Sequence, residues 1–261
     1  MLSAVEDLYF LGAITMEGQL TDDGRKIALI PLEPRLSKAV ISSYKFNCGY
    51  QTAMIVAILG ESGILFERPT KDLAKADEAH ERFLAPSGDH VTYLNAFEEY
   101  IGLQYREREE WCRRNYVNKK FLDRADKSRQ QIIGIMKSMN IPVQKVKNND
   151  PMRETYIIRS LLEGSFQQIA MFEERCNHYT FLFSNREADI HKSSMLKKPG
   201  KWIFYSDYIF TKADNLVTVS NIDPRWAYEA SPPYFRPDEF EDSYIKRELF
   251  SKNILGDLIH Q

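Results

Sequence analysis

Cysteine is scarce in this chain: three in 261 residues. Cys48, Cys112 and Cys176 form no C-x-x-C pair and no disulfide framework, which favours a reducing, intracellular compartment. Histidine is equally thin at five, and no His/Cys spacing resembles a metal site. Long apolar runs are missing. The longest, Ala53 to Leu59, is far too short to span a bilayer, and the first residues lack the basic and apolar regions of a signal peptide. Excess positive charge is missing too. A net charge of −2 argues against a free-standing basic nucleic-acid binder, while leaving room for a local basic surface. Finally, no G-x-x-x-x-G-K-[ST] phosphate loop occurs, since Gly60-Glu-Ser-Gly63 lacks the following lysine.

What is present supports real cores: 43% hydrophobic and 12% aromatic residues, enough for two domains with a fragment of a third. One string invites a sharper reading. Asp77-Glu78-Ala79-His80 spells DEAH, the Mg²⁺-binding signature of one class of nucleic-acid-dependent ATPase. In a working motor the acidic residue sits at the end of a buried strand beside a phosphate loop. Here Thr70 to Ala76 is charged and alanine-containing, with good helix propensity. The expectation is a solvated helix that happens to carry those letters.

The chain opens with an amphipathic helix over about Ser3–Leu11, followed by a turn at Glu17-Gly18 and a helix capped by Thr21. Helix, tight turn and short helix suggest the end of a winged-helix unit. From Pro34 to about Leu162 the periodicity is almost wholly helical, with Gln51–Leu59 apolar nearly all round, as in a central bundle helix. Asn140–Asp150 reads as a loop. Five β-branched or aromatic runs follow: Phe166–Met171, Tyr179–Phe183, Lys201–Tyr205, Tyr208–Thr211 and Leu216–Ser220. Five short strands in about sixty residues fit a small closed barrel of the OB type, which commonly binds single-stranded nucleic acid. A Pro-rich, acidic tail from Ser231 ends in a weak amphipathic helix near Tyr244–Leu258, and within it the acidic segment Pro237–Asp242 reads as solvated or as a partner contact. The fold class is α+β: winged-helix remnant (1–33), helical bundle (34–162), five-stranded OB-type β-barrel (163–235) and tail (236–261).

These landmarks carry a resemblance. Leu8-Tyr-Phe-Leu-Gly-Ala13, Leu20-Thr-Asp-Asp-Gly-Arg25 and Pro31-Leu-Glu-Pro-Arg-Leu36 are the first of them. Then come Arg68-Pro-Thr-Lys-Asp72, Gly88-Asp-His90, Trp111-Cys112 and Ala125-Asp-Lys-Ser-Arg129-Gln-Gln131. Gly164-Ser-Phe166, His191-Lys-Ser-Ser-Met-Leu196 and Asp223-Pro-Arg-Trp226 complete the set. In that order they resemble the C-terminal region of DEAH-box RNA helicases of the spliceosomal and ribosome-biogenesis type. The resemblance implies a winged-helix end, a "ratchet" domain and an OB-fold, closing over single-stranded RNA held by upstream motor domains. It implies that ATP and Mg²⁺ belong to those motor domains, with no cofactor and no catalytic residue in this chain. It further implies nuclear residence, a role in splicing or ribosome biogenesis, and docking of glycine-rich G-patch activators. The other reading is a non-enzymatic protein-interaction module, or a truncated regulator, with little RNA affinity.

The RNA-contact candidates fall in two groups. Arg113, Arg114, Asn118, Lys119 and Lys120, continued by Arg124 and Arg129, interleave cations with Tyr116, suiting phosphate contact and stacking; the alternative is a solvated helix face. Arg129 shares a helix stripe with Ala125, Ile132 and Met136, so it needs a partner, either a carboxylate or a phosphate. In the barrel, His191, Ser193 and Ser194 match a family His-Pro-Ser-Ser loop whose hydroxyls and N–H groups cradle phosphate, with Lys192 in place of proline. Thr211 and Lys212 match the next motif, with the lysine shifted by one residue and Val217 where the family has an arginine. Arg68 and Lys71 are candidates for motor or RNA contact beside a rigid Pro69 turn. Asp89 reads as a helix cap and His90 as a maker of a local hydrogen bond. Trp111, Trp202 and Trp226 read as core.

Overall fold

The computed structural model describes residues 2–184, 186–211, 213–256 and Leu258. Helix α1 (Leu2–Phe10) runs into a turn closed by an antiparallel bridge between Ile14 and Leu20. Thr21 then caps α2 (Asp22–Leu29), its hydroxyl accepting from the Gly24 N–H at 2.9 Å and donating to the Gly12 carbonyl at 2.6 Å. One side chain thus fixes both the start of the helix and the return of the chain.

Seven helices make the bundle: α3 (Pro34–Ser42), α4 (Gly49–Leu59), α5 (Leu73–Glu81), α6 (Asp89–Gly102), α7 (Arg108–Asn115), α8 (Lys119–Ser138) and α9 (Arg153–Ser165). Helix α4 is central, buried continuously from Gln51 to Ile58. Its polar side chains bind distant elements instead of water, as burial requires. Gln51 pairs through both amide atoms with the backbone of Val146, and Thr52 meets Ser160 of α9 at 2.6 Å. The closest helix approach is made by Gly164. A Cβ there would lie 1.8 Å from the Arg35 carbonyl oxygen, so only glycine lets α9 rest on α3.

Helix α9 leads into the barrel: β1 (Ile169–Glu173), β2 (His178–Phe181), β3 (Glu187–Ile190), β4 (Trp202–Phe210) and β5 (Asp214–Asn221), closed in the order β1-β2-β3-β5-β4. All pairings are antiparallel except β3 with β5. The strand count meets the expectation but the partition differs. The two runs Lys201–Tyr205 and Tyr208–Thr211 are one continuous strand, β4. The remaining strand is Glu-Ala-Asp-Ile, whose single buried residue, Ala188, leaves no hydrophobic run to detect. Strand β5 also breaks alternation. Thr218 takes a left-handed φ of 54°, rare for a β-branched residue. Leu216 and Val219, three apart, therefore both enter the barrel interior.

The tail is packed more deeply than its composition suggests. After α10 (Pro224–Ala230), Phe235, Phe240, Ile245, Leu249 and Leu255 are buried in the main core, with α11 (Tyr244–Leu249) among them. Only the charges of the acidic stretch, Asp238, Glu239, Glu241 and Asp242, are exposed. The tail reaches back to the first helix, where the Ser231 hydroxyl donates to the Phe10 carbonyl at 2.9 Å and Phe10 packs edge-on to Tyr234. Among the described residues, no helix is long and apolar enough to cross a membrane.

Candidate nucleic-acid cleft

The bundle and barrel are joined by Gly88, Asp89 and His90. Gly88 forms a bridge with Ser220 at a φ of 127°, where a Cβ would stand 2.4 Å from the Val219 carbonyl oxygen. The Asp89 carboxylate accepts the backbone N–H of Met195 at 2.7 Å and of Val219 at 2.8 Å. Burial pushes its carboxyl above the usual range, with those N–H bonds pulling the other way. The His90 ring lies between the hydroxyls of Ser220 and Ser206, each at 2.7 Å, and stacks on Phe204. Both residues were expected to act locally. The cap of α6 is instead Gly88, and Asp89 and His90 bind partners more than a hundred residues away.

That joint holds open a cleft of about 670 Å³ between the two domains. One wall comes from the bundle, through Gly63, Arg68, Asp77, Tyr93 and Phe121. The other comes from the barrel, through His191 to Lys197, Asp207, Ile209 and Val217. The cleft is charged but balanced. Arg35 is held by Glu33 at 2.8 Å and by the carbonyl of Ser206, and Arg68 is held by Asp77 at 2.7 Å. Among the described residues, Lys192 and Lys197 are the lining lysines, and neither is in an ion pair.

The sequence-derived candidates divide sharply. His191, Lys192, Ser193 and Ser194 all line the cleft. Their backbone does not form the expected phosphate cradle, because its N–H groups are already used. Ser193 N–H donates to His191 Nδ1, Ser194 N–H to the His191 carbonyl and Met195 N–H to Asp89. The hydroxyls are engaged as well, Ser193 with His191 Nδ1 at 2.7 Å and Ser194 with the Leu196 N–H and the Asp89 carboxylate, which leaves chiefly the Lys192 side chain. Arg124 sits beside Gly63, bound to Glu61 at 3.0 Å and to the Ser62 carbonyl. Arg113 and Arg114 share Glu110 on an exposed face, and Lys119 pairs with Asp123 at 2.7 Å. Asn118 caps α8 by accepting the Phe121 N–H, and Lys120 is exposed. None of these six lines the cleft.

Arg129 has a carboxylate partner. It binds Asp126 at 2.6 Å, with Arg108 on the other side of the same carboxylate and Tyr50 beneath the guanidinium. In the barrel hairpin, Thr211 N–H bonds Ala213 and its hydroxyl accepts from Asn215; Lys212 lies outside the described residues. Arg35, Lys197, Asp207 and Tyr93 were missed. Arg35 belongs to the Pro31–Leu36 landmark, which could have flagged it. The others carry no local signal, because only the tertiary fold turns them to the cleft.

The DEAH letters lie on helix α5, not at a strand's end. Asp77 is committed to Arg68, and His80 is buried against Phe66 with its Nε2 on the Tyr116 carbonyl. A residue already in an ion pair on a helix, with no phosphate loop beside it, does not fit Mg²⁺–nucleotide chemistry, and no ATP or Mg²⁺ step is assigned to these residues.

Comparison with protein families gives three matches. Residues 4–32 match the helicase associated domain (HA2), winged-helix; residues 33–93 match the helicase associated domain (HA2), ratchet-like. Residues 157–234 match the oligonucleotide/oligosaccharide-binding (OB)-fold family. In that order along one chain, around the joint and cleft described above, they reproduce the C-terminal region architecture of DEAH-box helicases, and the chain has the make-up of a helicase-associated C-terminal region.

Proposed function

We propose that this region guides single-stranded RNA along the cleft between bundle and barrel, on behalf of the ATP- and Mg²⁺-dependent motor domains of a DEAH-box RNA helicase resident in the nucleus. The observation that carries the reading is the cleft itself. An OB-fold wall bearing Lys192, Lys197 and the hydroxyls of Ser193 and Ser194 faces a helicase-associated wall bearing Arg68 and Tyr93. Such a surface suits backbone contact and stacking without base readout. The pairing of Arg35, Arg68 and Arg124 with carboxylates argues for modest affinity, to be completed by the motor domains. Exposed Val5, Met16, Leu20 and Leu29 on the winged-helix piece support a second task, docking of the motor domains or a G-patch activator.

The test is titration of labelled oligo-U into the chain at about 50 and about 200 mM salt. Micromolar binding that weakens with salt, and weakens further in Lys192→Ala and Lys197→Ala, is the expected result. Absence of binding would leave the chain as a protein-docking module.

A further inference from the structure

Arg68, like Arg35, reaches across the cleft from bundle to barrel. Its backbone is fixed on both sides: the Glu67 N–H donates to the Tyr116 carbonyl at 2.8 Å, and Pro69 follows at a φ of −61°. From that anchor the guanidinium engages Asp77 through two nitrogens, Nε to Oδ1 at 2.7 Å and Nη2 to Oδ2 at 2.8 Å. The third nitrogen, Nη1, points to the Lys192 carbonyl of the barrel loop, 3.4 Å away. A forked guanidinium binds carboxylate and phosphate with the same paired geometry. Both partners are more than 40% exposed, so the pair is reachable by solvent and adds little to stability. Lys192 and Lys197 lie on the facing wall; the Arg68 hydrogen bond and, more weakly, the Lys197 charge hold the Asp77 carboxyl below its usual range, so a phosphate taking the place of that carboxylate meets the same cations.

Resting on the reading of the cleft as an RNA path, we propose that Arg68 is a phosphate-binding residue held closed by Asp77, whose carboxylate occupies the guanidinium until an RNA phosphate displaces it. The pair is an internal competitor. It keeps the free region weakly binding and discharges its arginine only to a ligand that brings phosphate to the Lys192 side of the cleft. The second letter of the string, Glu78, is exposed and makes no such contact, which supplies a charge-matched control.

The experiment measures oligo-U binding by anisotropy across about 50 to 200 mM salt for the whole chain and for Asp77→Asn, Glu78→Gln, Arg68→Ala and the Arg68→Ala/Asp77→Asn double variant. Asp77→Asn is expected to bind about three- to five-fold tighter, with the salt dependence steeper by about 0.7 for the added phosphate contact. Glu78→Gln should bind as the parent does, and the double variant should lose the gain. Urea midpoints of all variants should stay close to the parent, excluding a folding effect. An Asp77→Asn affinity equal to the parent's, or a gain matched by Glu78→Gln, overturns the competitor role; the cleft reading still stands if Lys192→Ala weakens binding. If neither the parent nor Asp77→Asn binds, both readings fall.

Discussion

Asp89 and Val219 are 130 residues apart in the chain, yet a carboxylate oxygen of the first accepts the backbone N–H of the second at 2.8 Å. The bond exists because Thr218 turns left-handed just before it, interrupting the β4–β5 ladder at the point where bundle meets barrel. A strained β-branched residue and a buried carboxylate are each unfavourable alone. Together they lock the two walls of the cleft at a fixed separation.

Removing the carboxylate should therefore do more than delete one contact. In Asp89→Ala, the buried N–H of Val219 and the part-buried N–H of Met195 both lose their acceptor. At about 1–3 kcal/mol for each stranded donor, the loss is on the order of 3 kcal/mol. Urea unfolding should show it, and hydrogen exchange at those two amides should accelerate ahead of exchange within α4. Unchanged protection at Val219 would mean that the joint is held by other contacts.

His90 makes the joint sensitive to acid. Burial, with a smaller push from the Arg35 charge, takes its pKa from 6.5 down to about 3, and burial lowers His80 as well. The unfolded chain takes up these protons near pH 6.5, whereas the fold resists them until far lower, so stability declines as pH falls below about 6.5. Two groups run the other way. His178, raised by its hydrogen bond to Asp189, contributes fully below 6.5 and loses that contribution as pH rises. Asp89, raised by burial, likewise favours the fold most at low pH. The difference between parent and His90→Gln isolates the one group. The parent's urea midpoint should drop more steeply than the variant's between pH 7.5 and 5.5. Parallel curves would move the acid sensitivity elsewhere.

Two glycines in the bundle should respond oppositely to alanine. At Gly164 the new methyl meets the Arg35 carbonyl oxygen, which belongs to backbone and cannot swing aside, so α9 must lift from α3. A cost of about 3 kcal/mol or more is expected from the lost packing. At Gly134, in the middle of α8, a Cβ meets nothing within 4 Å, and removal of a flexible residue from a helix interior should stabilise by about 1 kcal/mol. Thermal melts of the pair check both signs. A stabilised Gly164→Ala would show that the α3–α9 contact is looser than its geometry.

Sequence reasoning succeeded where the signal is local. The helical period over Pro34–Leu162, the cap at Thr21 and the apolar run of α4 depend on neighbours within a few turns, and each is found as expected. It failed where the decisive partner is remote. Asp89 could not be told from a helix cap, because Met195 and Val219 are visible only in the folded chain. Strand β3 is held by its neighbours, with Ala188 as its sole buried residue, and no propensity marks it. The tail was legible at its acidic charges, which are exposed as expected, and not between them. Its prolines and acids hide Phe235, Phe240 and Leu249, spaced too irregularly for a periodic reading yet all buried. For the cleft, the His191–Ser194 loop was legible from its motif, but the carboxylates that neutralise Arg68 and Arg35 were not.

The same contrast separates arginines committed to carboxylates from lysines that line the cleft without a close ion pair. Arg129 is only 13% exposed and shares Asp126 with Arg108. Truncating it leaves a largely buried carboxylate with one distant partner at 3.7 Å, a loss on the order of 2–3 kcal/mol. Among the described residues Lys192 and Lys197 are in no close ion pair, and the Lys197 charge reaches Asp77 only at longer range, so their removal should leave the unfolding midpoint within about 0.5 kcal/mol of the parent. The expected pattern is a crossing. Arg129→Ala unfolds earlier but, while folded, binds oligo-U as the parent does; Lys192→Ala and Lys197→Ala melt normally but bind more weakly, with a shallower salt dependence. Urea unfolding and anisotropy on the same preparations decide it. If Arg129→Ala at full folding loses affinity comparable to the lysine variants, the bound strand passes over α8, and the cleft is not its only path.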